Sequence, residues 1–100
     1  MDSRVTRVDE IVPYLYLTGL SGVTDENVRN YNIKLVVNTA SEIPRKDFQG
    51  AVTQKFDFHD IPTQNVSSYL DYVADLIHSY VNTYQAVLVH CYMGKVNIHL

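Results

Sequence analysis

Cysteine is almost missing from this chain: a single one, Cys91, occurs in 100 residues. One cysteine excludes a disulfide within the chain, which suits a reducing compartment. No apolar segment of the secretory type follows the N-terminus, and no apolar run approaches the ~20 residues needed to cross a bilayer. We therefore expect a cytoplasmic or nuclear protein with no membrane partner.

Neither sign of charge is in large excess. The formal net charge is −3, which argues against a nucleic-acid partner. The four histidines and the cysteine lack any recognised ligand spacing, so we expect no metal and no cofactor. The sequence also shows no repeat, linker or low-complexity segment, and its length suits one domain, whole or partial, over residues 1–100.

What the chain does have is an alternation of short apolar segments with amphipathic ones. With 46% hydrophobic residues, the chain can bury a core. Thr24 and Ser67 or Ser68 are the predicted helix N-caps, and Pro13 favours a hairpin at the sheet edge. The alternation indicates an α/β fold with a mixed, largely parallel central sheet flanked by helices. The predicted strands are residues 15–18, 33–38, 53–58 and 86–90, and the predicted helices are residues 25–31 and 68–83.

The last predicted strand ends in a histidine and the cysteine. His90 and Cys91 follow the apolar residues Val87–Val89, and Gly94 comes shortly after Cys91. A glycine-containing loop at the carboxyl end of a buried strand can point backbone N–H groups inward and bind an anion. A thiolate in such a loop is nucleophilic, which favours attack on a bound phosphoryl group. Taken alone, a free cysteine at a strand end is more often an inert buried side chain, and His90 a structural histidine.

The segment from Val87 to Gly94 resembles the first two-thirds of the signature H-C-x-x-G-x-x-R-S/T of the cysteine-dependent protein phosphatases. Other segments, in the same order along the chain, are similar to the small, atypical dual-specificity phosphatases of that superfamily. These segments are Ile11–Gly19, Ile33–Asn38, Asp60–Pro62 and Leu70–Ile77. The resemblance extends from about residue 8 to residue 94. It implies a dual-specificity-phosphatase-like fold and a protein phosphatase that acts on phosphotyrosine, phosphoserine or phosphothreonine.

The resemblance also implies a role for each matching residue. Cys91 would be the nucleophile and take the phosphoryl group as a cysteinyl phosphate. Asp60 would be the general acid and base, although an aspartate beside a turn is by itself more often a solvated residue. His90 would hydrogen-bond behind the nucleophile and help to keep its thiolate. The partner would be a phosphorylated protein or phosphopeptide, and the chemistry needs no cofactor. The phosphate-binding residues would be Tyr92, Met93, Gly94, Lys95, Val96 and Asn97.

The chain departs from the family pattern directly after this match. Asn97 occupies the position of the family's arginine, and Ile98 that of the following serine or threonine. An arginine binds two phosphoryl oxygens at once, so its loss costs on the order of 10²–10³ in rate or more. The residues after Asn97 are too few for the helix that opens after this loop in the family, and the later C-terminal helices are lacking. We expect activity that is absent or severely reduced, and an exposed apolar face of the sheet.

A second hypothesis is a non-catalytic phosphate-binding or interaction fragment, either a pseudophosphatase or a truncated splice product. The asparagine at position 97 favours it. Turnover of a small aryl phosphate that is lost in Cys91→Ser would support the enzyme, whereas phosphopeptide binding without turnover would support the fragment. A redox-sensing thiol is a weaker third hypothesis, because the chain has no second cysteine to resolve it.

Overall fold

The segments rich in β-branched residues pair into one sheet in the computed structural model, which describes residues 8–39, 46–56 and 65–90. Within these residues the order across the sheet is β1-β2-β5-β3-β4. The β1–β2 pair is antiparallel and the other pairs are parallel, so the predicted mixed, largely parallel sheet is confirmed. The strands are Val8–Val12 (β1), Leu15–Thr18 (β2), Ile33–Asn38 (β3), Val52–Lys55 (β4) and Ala86–His90 (β5).

The β1–β2 pair is the predicted hairpin. Val12 pairs with Leu15 across a turn formed by Pro13 and Tyr14, where the absent proline N–H costs no ladder hydrogen bond. Tyr14 has a left-handed φ of 73°, and its carbonyl oxygen accepts a hydrogen bond of 2.8 Å from the Val87 amide. Tyr84, with φ 61°, places its ring 5.7 Å from that of Tyr14 in an edge-to-face contact. The hairpin turn is therefore docked against the start of β5.

The first helix begins as the sequence predicts. Helix α1 spans Asp25–Asn30, and Thr24 caps it by accepting a hydrogen bond of 3.0 Å from the Asn27 amide to its hydroxyl. Asn32 follows the helix with a left-handed φ of 53°, a conformation that asparagine tolerates better than most residues. A short 3-10 helix, Leu20–Gly22, precedes the cap.

The second helix begins earlier than predicted. Helix α2 spans Val66–Val81, and its N-cap is Asn65, whose side chain makes no capping hydrogen bond. The prediction of Ser67 or Ser68 as the cap is wrong, because both serines lie within the first turn. The predicted end at Thr83 is also too late, since the helical hydrogen bonds give way to turns after Val81.

The fourth strand is shorter than its alternating pattern suggested. The sequence predicted a strand over 53–58, whereas β4 spans Val52–Lys55 and Phe56 follows it. Residues 57 and 58 lie outside the described residues, as do residues 40–45. Ahead of β4, Phe48 and Ala51 form an isolated antiparallel bridge.

Helix α2 covers one face of the sheet. Val73 and Ile77 of the helix are fully buried against Leu35 and Val37 of β3 and Val87 of β5. This is the helical stripe that the sequence predicted, and it forms the first of two apolar cores on opposite faces of the sheet.

The opposite face carries the second core. Val28 of α1 packs there with Ile33 and Val36 of β3, Leu88 of β5 and Phe48. Val36 and Leu88 are both 0% exposed. The expectation of an exposed apolar face is therefore wrong for β3 and β5, because α1 and the segment around Phe48 pack on this side.

Candidate active site at the carboxyl edge of the sheet

Four parallel strands end at the same edge of the sheet. Thr18 of β2, His90 of β5, Asn38 of β3 and Lys55 of β4 lie in register as one row across it. The carboxyl edge is where open α/β sheets bind their ligands. The side chains of Thr18, His90 and Asn38 are polar and yet 3%, 4% and 1% exposed. This edge thus has buried polar side chains. An edge with only a packing role would need apolar side chains alone.

His90 lies at the centre of this row. Burial of its ring lowers the pKa of His90 from 6.5 to about 4, because a charged imidazolium would lose its hydration. The imidazole is therefore neutral at pH 7. Its Nδ1 atom is buried and has no hydrogen-bond partner among the described residues. A buried polar atom without a partner costs roughly 1–3 kcal/mol, so such an atom in the central strand marks a candidate functional position.

The carbonyl oxygen of His90 is held firmly by the neighbouring strand. Thr39, the residue after β3, donates to this oxygen twice, from its amide at 3.0 Å and from its Oγ1 hydroxyl at 3.1 Å. On the other side of β3, the Phe56 amide donates to the Asn38 carbonyl oxygen at 2.8 Å. The ends of β5, β3 and β4 are therefore tied together at the level of His90.

The end of β2 is fixed by a close approach of backbone. A Cβ added to Gly22 would overlap Thr18 Oγ1, so only glycine fits against that side chain. The Gly22 carbonyl oxygen in turn accepts a hydrogen bond of 2.8 Å from Asn27 Nδ2 of α1. Helix α1 thereby holds the segment that packs on Thr18, beside His90 in the register of the sheet.

The structure places one of the predicted catalytic residues. His90 is the last residue of the central strand β5, with its ring buried at the carboxyl edge. The predicted nucleophile Cys91 and general acid Asp60 lie outside the described residues, so their contacts stay predictions. The same holds for the predicted phosphate-binding residues Tyr92, Met93, Gly94, Lys95, Val96 and Asn97.

The sequence reasoning missed three polar residues of this edge, Thr18, Asn38 and Thr39. A signal for them was present, because each stands at or just after the end of a predicted strand. Parallel strands bring such residues to one edge of a sheet. The pairing that makes β5 the neighbour of both β2 and β3 was what the sequence did not reveal.

The described residues form neither a metal-binding cluster nor a membrane-spanning helix. In this part of the chain, His, Cys, Asp and Glu side chains do not gather in groups of three or more that could hold a metal ion. None of the helices described is long and apolar enough to cross a membrane. A cavity of about 540 Å³ lies between α1, the start of β3 and residues 48–50, at the opposite edge of the sheet from His90.

Comparisons with known proteins agree with this architecture. The mouse (Mus musculus) dual specificity protein phosphatase 14 is 39% identical over 62 residues, which is 62% of this chain and 31% of that protein. A crystal structure of a mouse putative dual specificity phosphatase complexed with zinc tungstate superposes with a TM-score of 0.76 at 18% identity, over 92% of this chain and 58% of that one. Human DUSP28 gives a TM-score of 0.73 at 19% identity, over 88% and 60%.

The chain therefore shares the fold of these phosphatases while spanning 31% of the length of the curated mouse relative. The family model described as dual specificity phosphatase, catalytic domain, matches residues 15–96. That match includes β2 to β5, both helices and the His90–Cys91 pair. The chain belongs to the dual specificity phosphatase catalytic-domain family.

Proposed function

We propose that this chain carries the nucleophile-bearing site of a dual-specificity protein phosphatase, and that its hydrolytic activity is absent or severely reduced. The substrates of such a site are phosphotyrosine, phosphoserine and phosphothreonine in proteins or peptides. The observation that carries the proposal is the position of His90, buried at the carboxyl end of the central parallel strand with Cys91 next in the chain. Family membership supports the same chemistry.

The proposed reaction has two steps, formation of a cysteinyl phosphate and its hydrolysis by water. The Cys91 thiolate attacks phosphorus, the bond to the leaving oxygen breaks, and Asp60 donates its proton to that oxygen. Asp60 then takes a proton from water, which attacks the cysteinyl phosphate, breaks the S–P bond and releases inorganic phosphate with the thiolate restored. The reaction needs no cofactor.

His90 supports the nucleophile without supplying a positive charge. Since its pKa of about 4 leaves the ring neutral at pH 7, the ring cannot act as a cation beside a thiolate. The ring can still support Cys91 by holding it in position and by hydrogen bonding. The atom available for such a hydrogen bond is the buried Nδ1, which has no partner among the described residues. Removing His90 should therefore affect the position of Cys91 more than the electrostatic potential around it.

Asn97 is the reason for the proposed loss of activity. It stands where the family signature has an arginine, whose planar fork binds two phosphoryl oxygens and stabilises transition-state charge. An asparagine offers one neutral amide. Loss of a charge-stabilising donor costs on the order of 10²–10³ in rate. From the composition and charge of the chain, we further propose a cytoplasmic or nuclear location and no nucleic-acid or membrane partner.

The test is hydrolysis of an aryl phosphate by the purified chain and by Cys91→Ser, with mouse dual specificity protein phosphatase 14 as the positive control. We expect kcat/KM to be lower than that of the relative by about 10²-fold or more, and the residual turnover to disappear in Cys91→Ser. Turnover that survives in Cys91→Ser would contradict the nucleophile. A rate equal to that of the relative would contradict the proposed loss of activity.

A second candidate function is a non-catalytic phosphate-binding or interaction module, favoured by Asn97 in place of the arginine. Titration with a phosphotyrosine peptide and with its unphosphorylated form separates the two candidates. Binding that requires the phosphate, without release of inorganic phosphate, would support the module. Equal binding of both peptides would exclude a phosphate site in either role.

A further inference from the structure

Thr39 makes a contact that the proposed catalytic roles do not use. It lies directly after β3, and both its amide and its hydroxyl donate to the carbonyl oxygen of His90, at 3.0 and 3.1 Å. Any residue except proline could supply the amide bond at this position. The hydroxyl bond, however, depends on the side chain, and it reaches the peptide group that joins His90 to Cys91.

Fixing one carbonyl oxygen has a consequence for the next residue. The peptide group is planar, so the orientation of the His90 carbonyl determines the plane in which the nitrogen and Cα of the next residue lie. Two donors from Thr39 restrain that orientation more tightly than one. The direction in which the chain leaves β5 toward Cys91 is thereby restrained from the neighbouring strand.

The Thr39 hydroxyl also limits hydrogen bonding by a thiol to the His90 carbonyl oxygen. A carbonyl oxygen has two lone pairs, and two hydrogen bonds from Thr39 occupy both. A thiol that donated to this oxygen would be stabilised in its protonated form. With both lone pairs occupied, the oxygen nearest in the chain to Cys91 is no longer an attractive acceptor for S–H, which favours the thiolate.

We propose that Thr39 is a positioning residue for Cys91, acting through the doubly hydrogen-bonded carbonyl of His90. This inference rests on the proposed function in taking Cys91 as the nucleophile. The competing explanation is that the hydroxyl only joins β3 to β5. These strands are already paired along Ile33–Asn38 and Ala86–His90, so the loss of a purely structural hydroxyl would lower stability and leave thiol reactivity unchanged.

The test compares Thr39→Val, which removes the hydroxyl at nearly constant shape, with Thr39→Ser, which keeps it. The readout is the rate of alkylation by iodoacetamide as a function of pH, and it reports on Cys91 alone because the chain has one cysteine. We expect Thr39→Val to raise the midpoint of the thiol profile by about 0.5 pH unit, which slows alkylation about threefold at pH values below both midpoints. Thr39→Ser should retain the wild-type profile.

Thr53→Val is the matched control. The Thr53 hydroxyl also donates to a backbone carbonyl, that of Lys46 at 2.9 Å, but it lies in β4, which β3 separates from β5 in the sheet. Its loss should lower stability without moving the thiol profile. Near-UV circular dichroism at each pH establishes that the variants are folded. If Thr39→Val does not fold, Thr39→Ala removes the same hydroxyl without adding volume. A raised midpoint in that variant supports the proposal, and an unchanged midpoint contradicts it.

Three results would overturn the inference: a wild-type thiol profile in the hydroxyl-deleted variant, an equal shift in Thr53→Val, or a shift that Thr39→Ser shares. None of these requires turnover. Aryl phosphate turnover that survives in Cys91→Ser, together with a thiol profile that Thr39→Val still shifts, would contradict the proposed function and leave the positioning role standing. Activity that depends on Cys91, with a profile insensitive to Thr39, would do the reverse.

Discussion

At the scale of single residues, His90 differs from an ordinary histidine because its ring is buried in the central strand. The neutral ring is the form compatible with burial, so its pKa is lowered to about 4. In the unfolded chain the ring is solvated and its pKa returns to about 6.5. Between these two values the unfolded chain binds a proton that the folded chain does not, and protonation therefore favours unfolding.

We predict from this difference that the free energy of unfolding falls as the pH decreases from 6.5 to 4. His90 alone should account for a loss of roughly 3 kcal/mol over that range, with a slope approaching about 1.4 kcal/mol per pH unit. Above pH 6.5 its contribution is fully retained. Urea denaturation at a series of pH values, followed by far-UV circular dichroism, measures the slope.

The variant His90→Gln isolates this contribution, because glutamine does not titrate. We expect its slope between pH 6.5 and 4 to be shallower than that of the wild type, whatever its stability at pH 7. A His90→Gln variant with an unchanged slope would show that the ring is solvated in the folded chain.

The sequence predicted this residue as part of a site, but not its burial or its partners. The prediction rested on the resemblance of Val87–Gly94 and of several other segments to the phosphatase family, because the order His90-Cys91 alone does not distinguish a site from an inert cysteine. The contact of Thr39 with the His90 carbonyl could not be predicted, because the two residues are 51 positions apart and meet only through the pairing of β3 with β5.

At the scale of elements, the two helices start in different ways. Helix α1 has a side-chain cap, in which Thr24 accepts from the Asn27 amide, and acidic residues Asp25 and Glu26 in its first turn. Helix α2 has neither, since Asn65 makes no capping hydrogen bond and its first turn has no acidic residue. The short helix therefore depends on its cap, whereas the long one depends on the burial of Val73 and Ile77.

We predict that Thr24→Ala lowers the free energy of unfolding by about 1 kcal/mol, because it leaves an N–H group of the first turn without its acceptor. Asn65→Ala should change it by less than about 0.5 kcal/mol, since no capping bond is lost. Chemical denaturation of the two variants beside the wild type measures both values. Equal losses would mean that the Thr24 cap contributes nothing specific.

This contrast explains where helix prediction succeeded and where it failed. Thr24 followed by Asp25 and Glu26 is a local signal, so the start of α1 was predicted correctly from the sequence. The start of α2 carries no such signal, and the serines at 67 and 68 were chosen because serine is a common cap. Helix α2 nevertheless begins at Val66, without a side-chain cap hydrogen bond.

At the scale of the whole molecule, the described sheet is packed on both faces. Ile77 of α2 and Leu88 of β5 belong to opposite cores, and each is fully buried. The apolar strands predicted this class of fold, because parallel strands buried on both faces have continuous apolar segments. The order of the strands was beyond the sequence, since periodicity reports the type of an element and not its neighbour.

We predict that Leu88→Ala and Ile77→Ala each lower the free energy of unfolding by about 2–5 kcal/mol, because each leaves a cavity in a packed core. Val52→Ala, at a side chain 48% exposed in β4, is the control and should cost less than about 1 kcal/mol. Equilibrium unfolding in urea measures all three. A nearly neutral Leu88→Ala would show that the face bearing α1 is open, as the sequence had suggested.

The position of β5 between β2 and β3 determines when the sheet can be completed. As the chain leaves the ribosome, the β1–β2 hairpin and the β3–β4 pair emerge first. These two pairs do not join each other directly, because β2 and β3 both pair with β5. Two-stranded units are marginally stable in water, and their open edges can pair with other chains. The nascent chain therefore stays vulnerable to misassembly until residues 86–90 emerge, and its folding in the cell should benefit from a chaperone that shields those edges.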